Sequence, residues 1–359
     1  MEVLHINTER GWGGGEQQLL YLTEGLEGRD CHCTVLCQPE VPLAKRSRER
    51  ELKTIELKMR GEWDLWAALR IAQLLKERKY DLVHLHTSHA HTLGLLARLR
   101  GWRGKGVVSR RVTFRLRKGP INKLKYRYFT YICISQAVRD VLIADGVAPE
   151  KINVVYSGID LGRFESGGTV NIRRELGIPE GKIIGNIGHI AGHKGQRDLI
   201  EATPQILRVF PDASILIIGE GKLRRNLERL AEDLGVKNRV IFMGFRNDIP
   251  SLLRSMDIFV YPSHWEGLGT SLLDAMAAEV PVVATNTGGI PEVISDRVNG
   301  MLVSPRGPKA LAKAVLTILQ NDDLAKKLAR AGRGTVKEKF TVDRMVEGTL
   351  EVYRKVMAN

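Results

Sequence analysis

The chain has 359 residues, of which 43% are hydrophobic and 27% charged, and its formal net charge is +14. These values are typical of a soluble globular protein with room for two domains. A membrane-spanning chain is excluded, because no window approaches 18 uninterrupted apolar residues. The N-terminus has no basic start followed by a long apolar stretch, so we expect no secretion signal and a cytoplasmic protein.

Short β-branched runs alternate with amphipathic helical patterns, which is typical of parallel sheets with helical crossovers. The first group of predicted strands comprises residues 3–7, 34–37, 82–86, 107–109, 132–134 and 152–155. After a Gly- and Ser-rich break, the second group comprises residues 183–187, 214–218, 240–242, 258–261 and 282–284. We therefore predict two doubly wound domains, at residues 1–160 and 161–340. Residues 341–359 are predicted to form a helix that packs back on the first domain.

Two groups of residues raise the question of a metal site. The cysteines are Cys31, Cys33, Cys37 and Cys133. They fall in strand-like or apolar runs, so we expect buried thiols, without disulfides in a reducing cytosol. The clustered histidines are His84, His86, His89 and His91. No acidic residue or cysteine completes a ligand set beside them, so no metal site is predicted.

The segment at residues 261–277 carries the most informative pattern. A loop with Glu266 joins a predicted strand to a predicted helix, and Asp274 follows eight positions later inside that helix. The unpaired N–H groups at such a helix start attract an anion, and Gly267 and Gly269 let the backbone approach a ligand. Two carboxylates would repel a phosphate, so we expect them to accept hydrogen bonds from the hydroxyls of a hexose and a ribose.

This segment resembles the E-x7-E region of retaining glycosyltransferases of family 4. The resemblance implies a GT-B fold, in which two Rossmann-like parallel-sheet domains face each other across a cleft and a nucleotide sugar is the donor. It implies that Glu266 contacts the donor sugar and that Asp274, one methylene shorter than the family's second Glu, contacts the ribose. The implied donor-binding residues at the helix start are Gly267, Leu268, Gly269 and Thr270.

A second segment, at residues 188–202, is similar to the family's G-R-x4-K-G sequence. By that resemblance Lys194 contacts the donor diphosphate and is catalytic together with Glu266. His189 stands at the Arg position, which predicts a weaker or pH-dependent phosphate contact. The glycine loop after the first strand is implied to face the donor phosphates through Gly14 and Gly15. Looser matches add three donor-site residues: Gly221, Phe245 and Arg246, the last two near the nucleobase.

The acceptor side departs from the family pattern. Many members have a histidine near the reaction centre where this chain has Arg110 and Arg111. An arginine cannot act as a base at neutral pH, but it could hold an anionic acceptor. His86 or His89, at the end of the preceding strand, could also face the acceptor.

A basic stretch suggests an anionic partner. Residues 82–139 contain 13 Lys and Arg and no acidic residue. From Arg110 to Arg127 these charges are mixed with Phe, Leu and Tyr, which predicts a surface for anionic lipid or a phosphorylated glycolipid, or else a solvated loop. The expected partners are a nucleotide sugar, a glycan or lipid-linked acceptor and an anionic membrane surface, which would place the enzyme in the cytoplasm or on the inner face of the membrane.

The resemblance implies a metal-independent, retaining hexosyltransferase without a cofactor. A UDP-sugar is favoured over a GDP-sugar, and bacterial cell-envelope polysaccharide or lipopolysaccharide synthesis is the expected setting. Two alternatives stay open. A nucleotide-sugar 2-epimerase on the same fold would act on the donor alone. A nucleic-acid-binding protein would use the basic stretch, but it would not need the donor-site pattern.

Overall fold

The structure, a computed structural model, describes residues 1–116, 119–165 and 171–358, without the side chains of residues 120–123. The strands within this part of the chain are β1 (Glu2–Ile6), β2 (His32–Cys37), β3 (Lys53–Glu56), β4 (Leu82–Leu85), β5 (Lys105–Arg110), β6 (Thr130–Cys133), β7 (Ile152–Val154), β8 (Ile183–Ile187), β9 (Ser214–Ile218), β10 (Val240–Gly244), β11 (Ile258–Tyr261), β12 (Val282–Thr285) and β13 (Met301–Val303).

The connections between the strands are mostly helical. The α-helices are α1 (Gly14–Glu27), α2 (Pro42–Glu49), α3 (Leu65–Glu77), α4 (Ser88–Leu99), α5 (Pro120–Arg127), α6 (Gln136–Ala144), α7 (Gly162–Glu165), α8 (Ile172–Leu176), α9 (Gln196–Leu207), α10 (Arg224–Asp233), α11 (Ile249–Arg254), α12 (Thr270–Ala277), α13 (Ile290–Val293), α14 (Pro308–Leu319), α15 (Asp322–Lys339) and α16 (Val342–Ala358). None of these described helices is long and apolar enough to cross a bilayer.

The first compact unit comprises Met1–Gly158 and Val342–Asn359. Its seven strands are all parallel, in the order β3-β2-β1-β4-β5-β6-β7. The chain therefore changes direction across the sheet between β1 and β4, where their following loops leave towards opposite sides. These two loops are tied together by Thr8 and Thr87, whose hydroxyl oxygens are 2.6 Å apart.

Helix α16 belongs to the first unit, although it follows the second unit in sequence. It packs on α1 and on strands β5 and β6, and its buried Val346 and Tyr353 join the apolar core of that sheet. A Cβ atom at Gly25 of α1 would lie 2.5 Å from Val346, so the two helices approach more closely than a larger residue permits. Residues 341–359, apart from Thr341 at the end of the second unit, thus pack on the first unit by burying apolar surface.

The second unit comprises Ile159–Thr341. Its six parallel strands have the order β10-β9-β8-β11-β12-β13, so its change of direction lies between β8 and β11. β-branched residues such as Ile184, Ile217 and Val260 are fully buried in its core, where α9 packs beside α14. Continuous β-branched runs are expected of parallel strands that are covered on both faces.

The predicted fold class is confirmed, because both units are doubly wound parallel-sheet structures. The sequence reading missed β3 and β13, which are short strands of four and three residues. It also placed Gly14 and Gly15 in a loop, whereas they form the first turn of α1, after the extended Gly13. The cysteines are buried, free thiols, as expected of strand residues.

Candidate active site

Two loops meet where the second sheet changes direction. The loop after β8 carries Lys194, and the loop after β11 carries Glu266. Because β8 and β11 are neighbours, their carboxyl ends bring these loops together, although the two residues are 72 positions apart. Lys194 Nζ lies 2.6 Å from Glu266 Oε2. This is the crevice in which ligands bind to open parallel sheets.

Glu266 is held by several donors. Its Oε2 accepts hydrogen bonds from Lys194 and, at 2.5 Å, from the hydroxyl of Tyr261, and Ser263 Oγ lies 3.5 Å away. Its Oε1 accepts from the N–H of Gly267 at 3.1 Å. Since only 13% of the side chain is exposed, these donors orient the carboxylate. Tyr261 and Ser263 were missed in the sequence, although both follow directly from the end of β11.

Lys194 remains protonated in this site. Burial lowers its pKa, but Tyr261 and Glu266 outweigh that effect and raise it above its usual value. A lysine ammonium has three donors. Glu266 and the Tyr261 hydroxyl, at 3.3 Å, account for two of them. The third is available to an anionic ligand, because 19% of the side chain is exposed.

Two glycines keep these loops in place. Gly195 has a φ of +67°, and a Cβ atom there would lie 1.9 Å from the carbonyl oxygen of Pro262. Gly288 has a φ of +53°, and its Cβ would lie 1.9 Å from the carbonyl oxygen of Glu266. The neighbouring Gly289 N–H donates to that same oxygen at 3.2 Å. The segment after β12, matched only loosely in the sequence, is therefore the support of the Glu266 loop.

The other predicted donor residues are placed unequally. His189 is exposed, and Gly221 packs against the main chain of the next residue, since a Cβ atom there would be 2.0 Å from the carbonyl oxygen of Ile190. The side chain of Leu268 is fully buried, so its predicted donor contact can be made only through the main chain. Gly269, with a φ of +95°, caps the start of α12 directly before the half-buried Thr270.

The predicted nucleobase residues lie after β10. Phe245 is 51% exposed. Arg246 makes ion pairs with Glu175 and, at 2.6 Å, with Asp248. These carboxylates hold the guanidinium in place and balance its charge. Arg246 is therefore better suited to stack on a nucleobase with its flat face than to pair with a phosphate.

Asp274 lies inside the second turn of α12. Its Oδ1 is buried, accepts no hydrogen bond from a described residue, and is 3.7 Å from Arg163. Burial raises the pKa of Asp274 to about 6, and Arg163 offsets only part of this effect. A buried acceptor without a donor is suited to a ligand hydroxyl, as the resemblance implied for the ribose.

The raised pKa of Asp274 predicts pH-dependent stability of the second unit. Between pH about 4 and 6 the folded state holds a proton that the unfolded state has released, so stability falls as pH rises through this window. The change from 3.8 to about 6 corresponds to at most about 3 kcal/mol. Asp274→Asn should remove that slope, as measured by urea unfolding at several pH values. If the free energy of unfolding changes with pH in the same way for the variant and wild type, the prediction is wrong.

In the first unit, His5, His84 and His86 form a buried cluster with ligand atoms within 4.8 Å of one another. His5 was missed because it lies on β1, far from the other two in sequence. His84 is bonded through Nδ1 to the Tyr353 hydroxyl and through Nε2 to Ser109 Oγ. Both nitrogens of His84 are therefore engaged, whereas His5 Nε2 and His86 Nδ1 are buried without a hydrogen-bond partner among the described residues. Burial lowers the pKa values of all three rings, so the cluster is uncharged at neutral pH. The expectation that no metal binds here stays a prediction.

The cluster bears on the acceptor-side prediction for His86 or His89. His86 Nε2 is 3.0 Å from His5 Nδ1, and its Nδ1 is buried without a hydrogen-bond partner among the described residues. A role of the His86 ring towards an acceptor stays a prediction. His89, in the first turn of α4, is exposed at the carboxyl end of β4 and stays a candidate.

Residues of three elements converge beside the start of α1. Asn7 Nδ2 donates to Glu16 Oε1 at 3.2 Å, and burial raises the pKa of Glu16 despite this bond. Arg111 follows β5, and its Cδ would lie 3.8 Å from a Cβ atom at Gly15. Burial lowers the pKa of Arg111 to about 10, with Glu16 opposing, so the guanidinium stays charged at neutral pH. Its Nε is buried without a hydrogen-bond partner among the described residues, as is that of Arg110.

The basic stretch from Arg110 to Arg127 is less open than predicted. Lys125 is buried, and its Nζ contacts Glu62 Oε1 at 3.2 Å and Thr92 Oγ1 at 2.6 Å. It therefore ties α5 to α4 and to the segment before α3, and its charge is not available at the surface. Arg117 and Lys118 lie outside the described residues.

Comparison with known proteins agrees with this architecture. The family model described as glycosyltransferase family 4 matches residues 12–163, and the model of glycosyl transferases group 1 matches residues 169–335. The two family matches, together with two doubly wound parallel-sheet units, identify a glycosyltransferase of the GT-B type. The chain belongs to family 4 of these enzymes.

Individual relatives extend over much of the chain. An uncharacterized glycosyltransferase of Methanocaldococcus jannaschii is 33% identical over 65% of this chain and 61% of its own length. The UDP-Gal:α-D-GlcNAc-diphosphoundecaprenol α-1,3-galactosyltransferase of Escherichia coli is 26% identical over 82% of this chain and 81% of its own length. The crystal structure of Anabaena HepE with UDP and glucose has the same fold, with a TM-score of 0.88, 23% identity, and coverage of 99% and 100% of the two chains.

Proposed function

We propose that the enzyme transfers a hexose from a UDP-sugar to an anionic glycan or glycolipid acceptor, with retention of anomeric configuration. The observation that carries this proposal is the Lys194–Glu266 pair in the β8/β11 crevice. The third donor of Lys194 and the N–H groups at the start of α12 stabilise the leaving diphosphate, while Glu266 positions the sugar. Positive charge of the chain itself stabilises the negative charge that a metal ion stabilises in other transferases, so neither metal nor cofactor is required.

UDP is favoured over GDP by two similarities. The Escherichia coli relative is named for UDP-Gal, and the HepE structure contains UDP and glucose. Retention without a protein nucleophile is explained by attack from the face that the diphosphate leaves, so that the departing phosphate oxygen takes the proton of the acceptor hydroxyl. In this reaction the glycosidic bond to phosphate breaks and a new one to the acceptor oxygen forms.

The acceptor is proposed to be anionic because of Arg111. Its Nε–H is buried and donates to no described residue, which is costly unless a ligand supplies an acceptor, and an anion is the strongest acceptor for a guanidinium. The Escherichia coli relative is named for a diphosphate-linked lipid acceptor, which has this charge. We therefore place the enzyme in bacterial cell-envelope polysaccharide or lipopolysaccharide synthesis, in the cytoplasm at the inner membrane surface.

The test is a panel of nucleotide sugars, first for thermal stabilisation and then for transfer in excess chelator. UDP-sugars should stabilise the protein more than GDP-sugars, transfer should survive the chelator, and NMR should show a product with the anomeric configuration of the donor. A product of inverted anomeric configuration would refute retention. Activity that returns only with added Mg²⁺ or Mn²⁺ would refute metal independence. Conversion of the donor alone to its 2-epimer would support the epimerase instead.

A further inference from the structure

The first turn of α3 has an exposed apolar surface. We call it the α3 patch, and it consists of Trp63, Leu65, Trp66 and Leu69, which are 54%, 51%, 77% and 37% exposed. Contiguous apolar surface of this kind is uncommon on soluble monomers unless it binds something. Tryptophan is also the residue enriched at the boundary between membrane and water.

The patch is not an unfilled part of the core. The opposite face of α3 is already buried through Ala67, Ala68 and Ile71, on the helix that packs beside α4. Asp64 caps the helix by accepting from the N–H of Ala67 at 3.0 Å, which fixes the orientation of the first turn. Trp66 therefore points to solvent because the helix is capped at its start and buries its opposite face, which consists mainly of alanines.

The charges around the patch are mostly positive. Lys58, Arg60 and Arg70 are exposed. The acidic residues of the same segment are Glu62 and Asp64, and both are held by donors within the protein. Glu62 contacts the Nζ of Lys125, and Asp64 accepts from backbone N–H groups of α3 and of Arg60. An apolar surface with exposed basic residues at its edge is complementary to an anionic bilayer.

The position of the patch suits a lipid-linked substrate. Glu62 accepts a hydrogen bond at 2.6 Å from the Oγ1 of Thr92, which lies in the second turn of α4. Helix α4 begins directly after β4, so the patch lies at the edge of the sheet where the strands have their carboxyl ends. Ligand sites of doubly wound sheets form at that edge. A bilayer held there would present the headgroup of a lipid to the residues beside α1 and β4.

We propose that the α3 patch docks the first unit on an anionic membrane surface, with Trp63 and Trp66 entering the headgroup region. This docking proposal refines the proposed function. It rests on that function, because a lipid-linked acceptor is the reason for the enzyme to contact a bilayer. The membrane contact predicted for Arg110 to Arg127 stays a prediction, because Lys125 is buried but Arg115 and Arg127 are exposed.

The proposal is tested by co-sedimentation of the full chain with vesicles of phosphatidylcholine containing 30% phosphatidylglycerol. We expect wild type to bind at low salt, and the double variant Trp63→Ser/Trp66→Ser to partition at least about tenfold less. Arg60→Gln/Arg70→Gln should lose about fivefold per charge and much of the salt dependence. Leu99→Ser is the matched control, because Leu99 is 59% exposed on the same unit but at the far end of α4. It should bind like wild type.

Three outcomes would overturn the proposal. The first is that wild type does not bind vesicles at low salt, and the second is that the tryptophan variant co-sediments with vesicles as well as wild type. The third is that analytical ultracentrifugation shows a wild-type dimer and a monomeric tryptophan variant. Stabilisation by UDP is measured in every variant. Normal UDP binding with lost vesicle binding separates docking from donor chemistry, whereas vesicle binding without any nucleotide-sugar stabilisation would refute the proposed function alone.

Discussion

Lys194→Met and Glu266→Gln are expected to reduce transfer by about ten- to a hundredfold each, because each removes a charge-assisted contact worth about 1.5–3 kcal/mol. The two changes should differ in kind. Lys194→Met removes the donor to the diphosphate, so UDP affinity should fall. Glu266→Gln keeps the shape of the side chain and should mainly lower the turnover rate. Isothermal titration with UDP and steady-state kinetics with the UDP-sugar measure the two effects separately.

The double variant tests whether the residues act as a pair. Since Lys194 and Glu266 are 2.6 Å apart, the combined loss should be smaller than the product of the single losses. The control is Lys237→Met, which breaks an ion pair of 2.9 Å with Glu232 whose side chains are 63% and 60% exposed. That surface pair should contribute almost nothing. If both site variants bind and turn over the donor like wild type, the site is misplaced.

Gly288→Ala is expected to abolish most activity in a protein that still folds. The new Cβ atom would lie 1.9 Å from the Glu266 carbonyl oxygen, so one of the two loops must move. A displacement of about 1 Å at a catalytic group can cost about a hundredfold in rate. Activity is measured with the UDP-sugar, and folding by circular dichroism and thermal unfolding.

Gly235→Ala separates the steric effect from backbone strain. Gly235 has a φ of +69°, similar to that of Gly288, but a Cβ atom there would meet nothing within 4 Å. Both variants should lose about 1–2 kcal/mol of stability from the left-handed conformation. Only Gly288→Ala should lose activity. Equal losses of activity in both would mean that strain, and not support of the Glu266 loop, explains the result.

Much of the fold follows from local pattern. Continuous β-branched runs and amphipathic helices are set by neighbours in sequence, so most strands of both sheets and the start of α12 at Thr270 were predicted from the residues alone. Lys194 and Glu266 were predicted from motif spacing and resemblance, because each stands in a strand–loop–helix connection with its own signature.

Other features depend on which strands become neighbours. The contacts of Tyr261 and Gly288 with Glu266 arise only when β8, β11 and β12 are side by side, and the histidine cluster forms only when β1 pairs with β4. Burial also reversed the apparent role of Lys125, whose charge looked like part of a surface in the sequence. The sequence by itself determined two parallel-sheet units and the main residues of the two loops that form the candidate site. The tertiary structure alone decided which side chains support them and which charges remain at the surface, because these depend on contacts between residues far apart in the chain.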